Sequence, residues 1–571
     1  MPSAHTGMSV RSMTLEQKVG QMFMLAFAGS TAQHAAVLLR DHHVGACYLS
    51  NDNFVDPPQA AALAAELQAL ARAGSGIPAL LAADQEGAWA VLTPHSCPGP
   101  GNMGLGATGS VEDTREMYSV FGQELRAAGL NADLAPAADV NSNPLNSIIG
   151  MRSFGEDPEA VARHVRAGVA GLHAAGVIAA AKHFPGHGDT IVDTHRGLAR
   201  VDRDYQALLR RELVPFRAAI DSGVDIVMTS HILFPALDPD HPATLSPAIL
   251  RDLLRGTMGF GGVVLTDSFN MGAVRRVSDP LDAVVQTVQA GADMVLLAEE
   301  RYGDESGDYV ERQAQLVAGL VAAVNTGRLP VSRVDDAVAR ILALKARYRL
   351  AGQPAAGART PQDTVGSPAH REIERRVAED AVVLVQNRGG VVPLNAARAQ
   401  RIVVLSATDP EGYRRMAAGR GIGPNVVERP SDVASMEIRR RHPDAISLTL
   451  RDGEWEAQAG RMAAASAFVV MTEKFPLAGF DFPDESQHRL IRWLLSKHSA
   501  PVIVLACRDP YELAQFPDVD AYVCAVGYRP ACVRAAVGAL FGEIAPRGRL
   551  PVSIPGLYPI GHGVTTSTWS P

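Results

Sequence analysis

Apolar residues in the first 300 positions fall in short, nearly unbroken runs, each closed by a polar or charged residue. Eight such runs, at 21–28, 44–50, 78–85, 131–140, 177–182, 225–231, 262–267 and 293–297, read as strands. Unbroken apolarity, rather than alternation, marks strands buried on both faces of a parallel sheet. Between them the spacing turns helical, as at 111–128, 158–175 and 205–222. The first helix opens on Thr14 with Gln17 three residues later, the signature of a capping box. Strands alternating with helices in this way predict a closed (β/α)8 barrel of TIM type, with an open doubly wound sheet as the alternative.

A helix over 335–348 closes the barrel, which takes in residues 1–349. Residues 350–370 are rich in Ala, Gly and Pro without periodicity and read as a linker. Helical spacing resumes at 371–385, and strand-like runs follow at 401–406, 467–471, 501–506 and 521–525. With a terminal strand over 548–555, residues 371–571 form a second, open α/β domain.

Composition narrows the function classes. At 571 residues and 47% hydrophobic, the chain can bury more than one core, which excludes a disordered or fibrous protein. A net charge of −8 argues against a nucleic-acid partner. No apolar run approaches the roughly 20 residues that cross a bilayer, so no membrane partner is expected. Residues 1–11 lack the apolar core of a signal peptide. The five cysteines, Cys47, Cys97, Cys507, Cys524 and Cys532, form no CxxC pair and no even framework. Reduced thiols in the cytoplasm are the resulting expectation.

The candidate chemistry favours the barrel. Asp84, Asp139, Lys182, His183, His231 and Asp267 fall at the C-terminal ends of different predicted strands, where a barrel builds its active site. The densest segment is AKHFPGHGDTIVDTH, residues 181–195. Its histidines and aspartates suit a metal site, a self-satisfied loop, or catalysis. No HExxH or paired-Cys pattern accompanies them, and Gly186 and Gly188 suggest a tight turn, so catalysis is preferred. Asp193 and His195 lie two apart, so in extended backbone both side chains point the same way. The carboxylate would raise the imidazole pKa above about 6.5 and hold a general acid ready. Asp267, in LTDSFNMGA, follows an apolar strand and is either a helix N-cap or a nucleophile. With a proton donor at the same mouth, the nucleophile is the better reading. ADQEG and MRSFGEDP offer Asp84 and Arg152 as polar contacts for a hydroxylated ligand. GPGNMG, residues 99–104, matches GxGxxG, but prolines flank its turn and no strand directly precedes it, so dinucleotide binding is rejected.

In this order, DQEG, MRSFGEDP, KHFPGHGDT…DTH and TDSFNMGA resemble glycoside hydrolase family 3, in its bacterial β-N-acetylglucosaminidase branch. The resemblance spans about 15–348 and more weakly the second domain, through 380–394 and 548–555. It implies a retaining hydrolase that releases a terminal β-linked amino sugar through a glycosyl-enzyme intermediate. It makes Asp267 the nucleophile, His195 the acid/base and Asp193 its partner, with Asp84, Arg152, Lys182 and His183 as sugar contacts. The implied partner is a small glycoside or amino-sugar conjugate, and neither metal nor organic cofactor is called for. After donating its proton His195 is neutral, so an anionic acceptor such as phosphate meets less repulsion, and phosphorolysis is an alternative to hydrolysis. A non-catalytic sugar-binding relative and a metal-dependent barrel hydrolase are the other classes weighed. The chain departs from the pattern after Asp84: Ala88 replaces a Gly, and Leu92 stands where an Arg is usual. That departure suggests a modified amino-sugar substrate.

Overall fold

The computed structural model describes residues 9–146, 148–191, 198–271, 279–298, 309–350, 360–394, 401–417, 428–451, 453–473 and 484–565. The chain divides into two compact units. The first comprises Met1–Gln85, Tyr118–Asp139 and Val165–Ser367; the second comprises Glu86–Met117, Val140–His164 and Pro368–Pro571.

The first unit is built on eight parallel strands: β1 (Phe23–Ala26), β2 (Ala46–Tyr48), β3 (Leu80–Ala83), β4 (Ala132–Asp133), β5 (Ile178–Phe184), β6 (Ile226–Thr229), β7 (Val263–Leu265) and β8 (Val295–Leu297). Seven lie within a run read from the sequence, and β5 extends two residues past its predicted end at Lys182. Their order is β7-β6-β5-β4-β3-β2-β1-β8, and a parallel bridge from Leu265 to Met294 joins β7 to the start of β8. The sheet therefore closes on itself as a TIM-type barrel. Every residue of these strands is buried, as the unbroken apolar runs require. Thr14 and Gln17 form the capping box, with Thr14 N to Gln17 Oε1 at 3.1 Å and Gln17 N to Thr14 Oγ1 at 3.3 Å.

The helix predicted over 205–222 is two helices, Tyr205–Arg210 and Leu213–Asp221. Pro215 explains the break: it has no N–H to donate to the Arg211 carbonyl, and its ring collides with that carbonyl in a continuous helix. Past β6, Ile232–Phe234 pairs with Ala199–Arg200 and Asp238–Pro242 in a small separate sheet.

The second unit carries a six-stranded sheet of β9 (Val383–Asn387), β10 (Ile402–Ser406), β11 (Ile446–Thr449), β12 (Ala467–Thr472), β13 (Val502–Ala506) and β14 (Ala521–Cys524). The order is β9-β14-β13-β12-β10-β11, parallel except for β9 against β14. The predicted helix over 371–385 begins at Pro368 and stops at Ala381, because the β-branched run from Val382 enters β9. No strand forms over 548–555. Pro551 and Pro555 cannot donate to a ladder, and the segment has one isolated bridge, Ile554 to Tyr558.

Candidate active site

The barrel strands deliver their first polar residues at one end. Asp84 follows β3, Lys182 and His183 close β5, and Asp267 lies two residues beyond β7. Lys182, 2% exposed, donates through Nζ to Asp84 Oδ1. The other oxygen, Oδ2, accepts from Tyr48 Oη at 2.8 Å. A buried ammonium of this kind stays charged only with a carboxylate against it, and the partly exposed Asp84 supplies one.

Asp139 organises the loop after β5. Its Oδ2 lies 2.7 Å from His183 Nδ1, while Oδ1 accepts the backbone N–H of His187 at 2.7 Å and of His183 at 3.2 Å. His187 Nδ1 faces Thr190 Oγ1 at 2.8 Å. A carboxylate on Nδ1 of His183 fixes the tautomer and turns Nε2 away from Asp139. Gly186 makes the turn possible: at φ +143° a Cβ would sit 2.8 Å from Glu212 Cβ. Burial raises the Glu212 carboxyl above its ordinary range, although Arg211 Nε donates to it at 2.7 Å. Asp189, in the same loop, is held by Arg203 at 2.6 and 3.1 Å. Asp193 and His195 lie outside the described residues.

Asp267 is half-buried, and its Oδ1 accepts from the N–H of Ser268 at 2.7 Å. Residues 269–271 are turn and bend, so no helix starts directly after Asp267 for it to cap. Nearby, His231 is fixed at both ring nitrogens, by Thr244 Oγ1 and the Ser268 carbonyl, each at 2.9 Å. Asp84, Lys182, His183 and Asp267 thus share the C-terminal end of the barrel.

Arg152 belongs to the second unit, at the end of a short 3-10 turn, Gly150–Arg152. It is 2% exposed, and its Nε and Nη2 donate to Glu86 Oε2 and Oε1 at 2.8 and 2.9 Å. Its guanidinium lies over the Trp89 ring, 3.6 Å from the centroid. A fork-to-fork pair plus a stacked face fixes the cation in plane and in azimuth. Sequence reasoning passed over Tyr48 and Glu86. Nothing local marks Glu86, which directly follows the polar pair Asp84 and Gln85. Ala88 and Leu92, where the chain departs from its resemblance, are both buried, and Leu92 has φ +60°.

A parallel barrel that gathers a lysine, a histidine and carboxylates at the C-terminal ends of its strands has the frame of a barrel enzyme. Comparison with known proteins makes this specific. Residues 14–344 match the glycosyl hydrolase family 3 N-terminal domain and residues 382–560 match that family's C-terminal domain, so the chain belongs to glycosyl hydrolase family 3. A β-hexosaminidase A from Pseudoalteromonas piscicida is 35% identical over 430 residues, covering 69% of this chain and 70% of the relative. A β-N-acetylglucosaminidase/β-glucosidase from Cellulomonas fimi is 30% identical over 563 residues, covering 94% of this chain and 93% of the relative. The structure of a family 3 β-N-acetylglucosaminidase from Paenibacillus sp. str. FPU-7 superposes with a TM-score of 0.85 at 34% identity, over 95% of this chain and 99% of that one.

Proposed function

We propose that this glycoside hydrolase is a retaining β-N-acetylglucosaminidase that removes a terminal amino sugar from a small glycoside. The observation that carries the reading is the placement of Asp267 at the same barrel end as the Asp84–Lys182 pair and the Asp139–His183 pair. The similar proteins are named β-hexosaminidase or β-N-acetylglucosaminidase, the Cellulomonas fimi one also β-glucosidase, which supports the reading.

In this mechanism the Asp267 carboxylate attacks the anomeric carbon while His195 protonates the departing oxygen. Asp193 keeps the imidazole charged and oriented for that transfer. His195, then neutral, takes a proton from the attacking water as the glycosyl ester breaks, and the anomeric configuration is restored. Asp84, Lys182 and His183 bind sugar hydroxyls, Asp84 as acceptor and Lys182 as donor, and Arg152 is a further sugar contact. Neither a metal nor an organic cofactor enters any step.

Among the described residues no helix is long and apolar enough to cross a membrane. The five cysteines are buried and none of them is in a disulfide, which fits a reducing compartment such as the cytoplasm.

Buried, apolar Leu92 favours a second reading, in which the sugar is a modified amino sugar and plain N-acetylglucosaminides are slow substrates. A panel of 4-nitrophenyl β-glycosides differing only at C2 tests the first reading. N-acetylglucosaminide is to be hydrolysed faster than glucoside, and a glucoside preference overturns it.

A further inference from the structure

Residues 86–89 form a closed turn in which the Glu86 N–H donates to the Trp89 carbonyl at 2.8 Å. The two side chains at its ends are those that grip Arg152, Glu86 along the edge of the guanidinium and Trp89 across its face. Gly87 lets the turn close against its surroundings: at φ +83° a Cβ there would lie 2.7 Å from Gly101 Cα and from the Pro98 carbonyl oxygen. The two carbonyls at the middle of the turn point at donors far along the chain. Arg529 Nε donates to the Gly87 oxygen at 3.2 Å and Nη2 to the Ala88 oxygen at 3.1 Å. Tyr528 Oη also donates to the Ala88 oxygen. Arg529 and Tyr528 are 2% and 3% exposed, and the guanidinium carbon of Arg529 lies 5.0 Å over the Tyr528 ring.

A turn has few ways to satisfy its central carbonyls once buried, and unmade hydrogen bonds there are costly. Side-chain donors that reach them from one rigid place fix the turn's position. From this we infer that Tyr528 and Arg529, at the end of the second domain's last strand-to-helix connection, are positioning residues for sugar recognition. They hold the 86–89 turn so that Glu86 and Trp89 present the Arg152 guanidinium in one orientation. The inference rests on the reading of Arg152 as a sugar contact. It gives Tyr528 and Arg529 a part in substrate affinity without either side chain touching the sugar.

The test is steady-state kinetics of the full chain on 4-nitrophenyl N-acetyl-β-glucosaminide, with inhibition by free N-acetylglucosamine, for Tyr528→Phe, Arg529→Met and Arg152→Met, singly and combined. Tyr528→Phe removes one donor and keeps the ring, so it reports even if Arg529→Met fails to fold. Arg152→Met is to raise KM and the product inhibition constant together. Tyr528→Phe is to raise both about threefold and Arg529→Met about tenfold, the scale of one net hydrogen bond, with kcat within about twofold. In the Arg152→Met background neither substitution is to change KM by more than about twofold, because a residue acting through Arg152 has nothing left to position. A loss of equal size in that background, or a loss confined to kcat, overturns the inference while leaving Arg152 as a sugar contact. An Arg152→Met variant with unchanged KM and product inhibition refutes the contact itself, and the inference falls with it.

Discussion

Replacing Glu86 by Gln tests the buried ion pair between Glu86 and Arg152 in the second unit. Both partners are out of water, Glu86 at 0% and Arg152 at 2% exposure, and they meet in two parallel bonds of 2.8 and 2.9 Å. The amide keeps the shape but loses the charge and turns an NH2 group toward the guanidinium, leaving a buried cation without its carboxylate. Breaking one side of such a pair costs about 3–5 kcal/mol, because the desolvated charge remains. For a unit of this size each kcal/mol moves the midpoint about 2–4 °C, so the unfolding transition of the second unit falls by roughly 6–20 °C. Differential scanning calorimetry of the full chain measures it. The double variant Glu86→Leu, Arg152→Met removes both charges, and its midpoint is to lie above that of Glu86→Gln. A single variant within about 1 kcal/mol of the parent, or a double variant below the single one, refutes the argument that charge burial dominates here.

Three further outcomes are expected. His195→Ala slows poor leaving groups far more than activated phenols, with Asp193→Ala a milder version; equal slowing across a series of aryl glycosides contradicts the acid role. Leu92→Arg raises kcat/KM on 4-nitrophenyl N-acetyl-β-glucosaminide if the missing guanidinium narrows the substrate range; a parent already fast on it, with no gain from the arginine, removes that reading. Burial pushes the Lys345 ammonium from 10.5 down to about 7, where it donates to Gln21 Oε1 at 2.7 Å and the Gly45 carbonyl at 2.8 Å. Above pH 7 the unfolded chain therefore binds a proton that the folded chain does not. Stability relative to Lys345→Met rises with pH, by up to about 1.4 kcal/mol per unit between pH 7 and the unfolded value. Thermal denaturation at pH 6 and 9 reads it, and a constant difference between the two proteins contradicts it.

The barrel was legible because both-face burial leaves unbroken apolar runs, as in Leu80–Ala83 and residues 178–181, and the reactive residues Asp84 and Lys182 follow directly on them. The same logic placed Asp84, Lys182, His183 and Asp267 at one end. It failed where the signal was short or mixed. Ile446–Thr449 is a four-residue edge strand with half-exposed positions, too brief to stand out. Pro551 and Pro555 went unheeded in a stretch that otherwise reads as a strand. Tyr48 and the Glu86–Trp89 clamp were hidden for a different reason. Their partners, Asp84 and Arg152, lie 36 residues from Tyr48 and 66 from Glu86, and no local period encodes such a pairing. The carbonyl contacts of Arg529, more than 400 residues along the chain, are beyond any spacing argument.

The central claim is that Asp267 is the residue that forms the covalent glycosyl-enzyme. Incubation of the full chain with a 2-fluoro or 5-fluoro glycoside that accumulates this intermediate, followed by peptide mass spectrometry, addresses it directly. The account predicts one glycosyl label on the peptide containing Asp267, and no label in Asp267→Asn, an amide of the same shape that cannot attack the anomeric carbon. A label on another residue, or one that persists in Asp267→Asn, contradicts it.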